Sequence, residues 1–183
     1  MSLQLVTPAS ASPVSLAEAK AHLKLDTDDD DARLTAMIAA AATRAEWHTG
    51  RAFLTQGWIL WLDQWPHDGI AEIPLPPLQA VSEVAFHDPQ DERSVADPSA
   101  YRVESAAEPG RLVFADSPPR LRRTAAIEIA FTAGYGDAAA VPQAVKEAIL
   151  EIVADLYAHR GDEYGPVGLA GQALLAPYRM LKV

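Results

Sequence analysis

Cysteine is absent from all 183 residues, which excludes disulfide staples and thiolate metal sites. Histidine is scarce, and His22, His48, His67, His87 and His159 fall in different segments with no His-x-x-x-His pair to suggest zinc. Long apolar runs are missing too. The longest, residues 36–42, is far short of the ~20 residues that a membrane helix needs, so a soluble chain is expected. The opening Met1-Ser2-Leu3-Gln4-Leu5 has no basic run leading into an apolar stretch, so no signal peptide is readable. Net positive charge is lacking: the chain carries a formal −10. Affinity for a phosphate backbone comes from Lys and Arg displacing counterions, and the densest basic stretch, Arg120-Leu121-Arg122-Arg123, is short. Stable nucleic-acid binding is not expected.

Motifs of catalysis are missing as well. There is no Gly-x-Ser-x-Gly elbow. Gly134 and Gly136 follow an expected strand, but a dinucleotide fingerprint needs a third glycine where Ala139 stands, and no Lys-Ser or Lys-Thr pair makes a P-loop. A tight turn out of a sheet explains them. The acidic run Asp26–Asp31 fails the calcium-loop pattern, because Asp31 and Met37 occupy the positions of the required Gly and Glu. It reads as a solvated helix N-terminus. Asp155 and His159 lie one helical turn apart, a spacing common on solvated faces. A serine, histidine and aspartate distant in sequence can still converge, but nothing selects them.

What remains is core material. Hydrophobic residues make up 49% of the chain, and its length suits one compact unit or one unit with a large insertion. The ends read as helix. Ser15 and Glu18 form the capping-box pattern for a helix through Leu23. Leu34, Met37, Ile38, Ala41 and Ala45 repeat at helical spacing after the acidic run, up to a stop at Gly50. Pro142 opens a third helix with the apolar stripe Val145, Ala148, Ile149, Ile152, Val153, Leu156 and Tyr157, ended by Gly161.

From Thr55 the period changes to that of strands. Residues 58–62 are apolar on both faces, as in a strand buried on both sides or facing a partner subunit. Short strands are expected at Ala71–Ile73, Val81–Phe86, Tyr101–Val103, Arg111–Phe114 and Ile127–Phe131, forming a small antiparallel sheet or sandwich. Trp47, Trp58, Trp61 and Trp65 cluster within a short stretch, as core or as the centre of a protein interface. The glycine-rich residues 165–171 read as a connector to an apolar ending, residues 173–183. That ending docks either on its own domain or on a partner.

The fold class expected is α+β, a helical bundle from both chain ends with an antiparallel β-rich insertion. Its parts would be residues 1–54, 55–132 and 133–183.

The order of several segments resembles phage head–tail connector (adaptor) proteins, including the adaptor of gene transfer agents. They are residues 13–24, Asp29–Leu34, Thr49–Ala52, Leu75–Val81, the Thr132-Ala133-Gly134-Tyr135-Gly136 step before Val141-Pro142, and Leu174–Arg179. That resemblance implies a non-catalytic protein without cofactor or metal. It implies a dodecameric ring under the portal, at the neck of a virion or phage-like particle assembled in the bacterial cytoplasm. The partners implied are the portal, other copies and a next neck or tail component (stopper or tail terminator). DNA would pass without stable binding, and no membrane would be involved. For the tail, Leu174, Leu175, Pro177, Tyr178, Arg179 and Leu181 are the expected portal-docking residues, with Arg179 meeting an acidic group. The rival is a small enzyme or carbohydrate-binding module on the tryptophan-rich sheet. A DNA-binding regulator is disfavoured by the charge.

Overall fold

The computed structural model describes residues 1–115, 120–159 and 167–180. They form a mixed α+β fold with antiparallel sheets, divided into two units. The sheet unit takes Met1–Ala9 and Thr55–Tyr135, and the helix unit takes Ser10–Leu54 and Gly136–Val183.

In the helix unit, α1 (Leu16–Leu23) starts at the expected capping box. The Glu18 amide donates to Ser15 Oγ at 3.2 Å, and the Ser15 amide donates to Glu18 Oε2 at 2.7 Å. Two amides left over at a helix start are thereby satisfied. The same Ser15 hydrogen bonds hold the Glu18 carboxyl below its usual value. Helix α2 (Asp31–Thr49) buries Leu34, Met37, Ile38, Ala41 and Ala45, as its spacing predicts, and ends at Gly50 in the left-handed region (φ 69°). Helix α3 (Gln143–Ala158) buries Val145, Ala148, Ile149, Ile152, Val153 and Leu156. It packs on α2, on α1 and on a short α4 (Leu169–Leu175). The expected stop at Gly161 lies outside the described residues.

The acidic run does more than sit in solvent. Lys20 on α1 donates to Asp28 at 2.5 Å and to Asp31 at 2.8 Å, while Tyr157 Oη on α3 donates to Asp30 at 2.6 Å. Three helices therefore meet at the start of α2, where carboxylates are also favoured by the helix dipole.

The sheet unit holds β1 (Ser2–Thr7), β2 (Gln56–Leu62), β3 (Ile70–Ile73), β4 (Leu78–His87), β5 (Arg93–Val95), β6 (Tyr101–Glu104), β7 (Gly110–Phe114) and β8 (Ile127–Ala133). One sheet has the order β1-β2-β8-β4-β5 and the other β3-β7-β6, and every pairing is antiparallel. Residues 2–7 thus leave the helical part in which the sequence had placed them. The reason is β2: an apolar strand with β8 on one side needs a second neighbour, and Leu3 and Leu5 pair opposite Leu60 and Trp58.

Strand β8 alternates strictly, with Ile127, Ile129, Phe131 and Ala133 buried and the residues between them half-buried. Burying a side chain the size of Phe131 stabilises the fold by about 2–3 kcal/mol. The two sheets come together where Gly110 of β7 lies against Leu78 of β4. Trp65 closes the same core, 4.3 Å from Phe114 and 6.1 Å from Phe86 between ring centroids.

A Cβ added at Gly110 would stand 2.6 Å from Leu78 Cδ2 and 2.7 Å from Leu78 Cβ. Gly110→Ala is expected to destabilise the chain by about 1–3 kcal/mol in a denaturant titration. Leu78→Ala should not fully relieve it, because the Leu78 Cβ stays in place.

Candidate functional site

The tail is the feature that the sequence singled out, and the structure folds it onto the helix unit as far as Met180. Gly168 precedes α4, and Gly171 lets α4 approach α3: an added Cβ there would meet Val167 at 3.1 Å and Ile152 at 3.5 Å. A single 3-10 turn, Ala176–Tyr178, follows. Backbone groups then anchor the segment. Arg51, itself buried, donates from Nε to the Tyr178 carbonyl at 2.6 Å, and the Met180 amide donates to the Thr49 carbonyl at 2.8 Å.

The expected docking residues divide accordingly. Leu175 is fully buried within its own unit, so in this conformation it offers no surface to a partner. It holds the tail down. Leu174 and Tyr178 are half-buried, whereas Pro177 and Arg179 are exposed. Leu181 lies outside the described residues. Of the expected connector, residues 165 and 166 also lie outside them, and residues 169–171 belong to the helix 169–175. Sequence reasoning missed α4 because glycines at 168 and 171 masked its helical period.

The tryptophans do not gather into one site. Trp65 is half-buried against Phe114, Trp61 lies 5.6 Å from the His87 ring, and Trp58 is half-buried with its Nε1 buried and without a hydrogen-bond partner. Trp47, on α2, is 86% exposed. An indole that open is costly to leave in water and is typical of a protein-interface anchor.

Titratable groups converge at one place, where β8, β4 and β5 end. His87 Nε2 lies 3.2 Å from Glu128 Oε2, and Arg93 donates from Nε to that oxygen at 2.9 Å and also pairs with Glu83. The Arg93 hydrogen bonds hold the Glu128 carboxyl below its ordinary value of 4.5. A carboxylate so committed to a guanidinium is a weak base, and the cluster serves to stitch three strands. Asp155 and His159 sit 3.2 Å apart on an exposed face. Among the described residues no group of three His, Asp or Glu is placed to hold a metal ion. The cleft beside Tyr101 and Arg102 is shallow and lined mostly by Ser99, Val113, Phe114 and Ala115. No helix of the described residues is long and apolar enough to cross a membrane.

Residues 13–102 match the sequence model of a family described as Phage gp6-like head-tail connector protein. No curated protein sequence matches the chain. Among solved structures, a chain from the neck of an empty gene transfer agent (GTA) particle, computed with C6 symmetry, is 25% identical. The match covers 100% of this chain and 97% of that one, with a TM-score of 0.86. A chain of the native gene transfer agent virion matches at TM-score 0.84 and one of a native neck computed with C12 symmetry at 0.81, with the same identity and coverage.

Two outcomes check this account of the tail. Leu175→Ala should lower stability by about 2–5 kcal/mol in chemical denaturation, whereas Arg179→Gln should lower it little. His48 is held below its ordinary 6.5, first by burial and then by the Arg179 charge. The unfolded chain therefore binds the proton more readily. The contribution of His48 to stability is full above pH 6.5 and falls as the pH drops below it. Arg179→Gln should raise the His48 titration midpoint seen by NMR and flatten that fall.

Proposed function

We propose that this chain, a head–tail connector by its family match over residues 13–102, is a structural adaptor in the neck of a phage-like or gene-transfer-agent particle. It is an assembly part and not an enzyme, and nothing supports the enzyme or carbohydrate-binding alternative. The observation that carries this is end-to-end similarity: the whole chain, both units included, aligns with nearly all of a neck protein at 25% identity. A shared fold hosts many functions, but family, full length and setting agree here.

The finer reading is ours. The helices from both chain ends act as one bundle that carries the tail. Copies assemble into a ring beneath the portal, which we take as dodecameric because one of the similar necks was computed with C12 symmetry. One side of the ring meets the portal and the other the next neck or tail component, a stopper or tail terminator. Assembly takes place in the bacterial cytoplasm, in keeping with a chain free of cysteine. A chain of charge −10 has little with which to grip a duplex, so DNA slides through the ring. The portal-docking patch is Leu174, Pro177, Tyr178 and Arg179, with Leu175 supporting it from beneath and Leu181 continuing it. Tyr and Arg are enriched among residues that dominate interface energies.

The direct check is the mass of the purified chain alone and mixed with its portal protein. A chain–portal complex is expected; a monomer that ignores the portal and turns over a substrate would contradict the reading. Tyr178→Ala combined with Arg179→Ala should leave the melting temperature near that of the parent and weaken portal binding about tenfold or more.

A further inference from the structure

The five-stranded sheet ends in two open strands. Among the described residues β1 pairs only with β2, and β5 only with β4. An edge strand presents a row of unpaired N–H and C=O groups, which proteins usually blunt with charge, proline or a covering element. Strand β1 uses none of these. Ser2, Leu3, Gln4, Leu5, Val6 and Thr7 carry no charge and all six are exposed. Leu3, Leu5 and Val6 are 36%, 44% and 54% exposed. The register explains why the two leucines are there. Leu3 lies opposite the fully buried Leu60 and Leu5 opposite the half-buried Trp58, so they continue the core face of β2. Three strands in the second sheet cannot cover five in the first, and the cover fails at β1.

The other edge has a matching character. Arg93, Ser94 and Val95 of β5 are exposed, Val95 by 55%, and none is acidic. Arg93 is already tied inward, to Glu83 and Glu128 on the neighbouring strands.

We propose that β1 of one copy pairs with β5 of the next, so that the sheets of successive protomers continue into one another. The inference rests on the ring reading above and names the contact that would close it. Three observations point to a second copy as the occupant. Copies of a chain at −10 repel, so they can meet only where acid is absent, and both edges are free of it. A ring needs two different patches on each subunit, and one sheet with two unlike open edges supplies such a pair. Strand direction also agrees. In an all-antiparallel order of five, the first and last strands run the same way. Protomers of like orientation around an axis therefore bring β1 and β5 together as a parallel pair. With β5 only three residues long the hydrogen-bonded contact is short, and Leu3 and Leu5, on the sheet face that Ser94 and Phe86 share, would add the apolar part.

The absence of cysteine makes the test clean. Full-length chain carrying Gln4→Cys and Val95→Cys, both exposed and on the same face of the sheet by register, is incorporated into particles, and the purified necks are treated with a short thiol-to-thiol crosslinker. A denaturing gel should show a ladder of multimers from the double variant and no species beyond dimer from either single one. Necks that contain the double variant but give no ladder would overturn the strand pairing and leave the neck reading standing. So would a ladder confined to a control pair on the helix unit, Ala40→Cys with Glu151→Cys. Absence of the chain from purified necks would overturn both. As a second variant, Leu5→Lys should fold as the parent does, by circular dichroism and melting temperature, yet enter necks at least several-fold less. A folded Leu5→Lys chain that enters them normally would also overturn the pairing.

Discussion

The buried face of β8 is the constraint from which the sheet unit follows. Ile127, Ile129, Phe131 and Ala133 must be kept from water, so β2 and β4 flank the strand and a second sheet is laid over it. That cover comes close enough at Gly110 and Leu78 that no side chain can be added. Its width is the limiting quantity. Three strands lie over five, and the apolar residues beyond their reach, Leu3 and Leu5, are left at the surface. In a monomeric enzyme such residues would be a liability for aggregation. In a part that works only among copies and partners, they are surface available for assembly.

The helix unit divides its apolar residues in the same way. Most of α3 and the inward face of α2 are used within the unit, and Leu175 joins them. Trp47 is left in solvent, together with a tail whose exposed tip carries Pro177 and Arg179. Polar groups in both units stitch elements together. Lys20, Asp28 and Asp31 join α1 to α2, and Arg93, Glu83 and Glu128 join three strands. The ion pairs are too exposed to matter much to stability one by one. Their value is in fixing which elements meet.

Much of this was legible in the sequence because its signals are local. The Ser15–Glu18 capping box, the 3.6-residue stripes of α2 and α3 and the alternation from Ile127 to Phe131 each sit within a few residues. The misses were non-local. Strand β1 is isolated in sequence from its partner Trp58–Trp61, and nothing near Leu3 says that β2 has a free side. Strand β5 is too short for its period to show. The apolar tail was read as docking either on its own domain or on a partner, and whether Leu175 turns toward α3 or outward depends on Gly171, whose packing partners Val167 and Ile152 are set by the fold. The acidic run was read as a solvated helix N-terminus, and its link to Lys20 and Tyr157 required knowing which helices lie side by side.

A side-chain-resolution image of the intact particle's neck tests the central claim most directly. The account predicts this chain as a closed ring between portal and tail, each copy's first strand lying against its neighbour's fifth and the segment around Tyr178 seated on the portal. A neck built without this chain would contradict it. So would a chain found there as isolated copies, with those strand edges facing solvent and a small molecule held in the sheet unit.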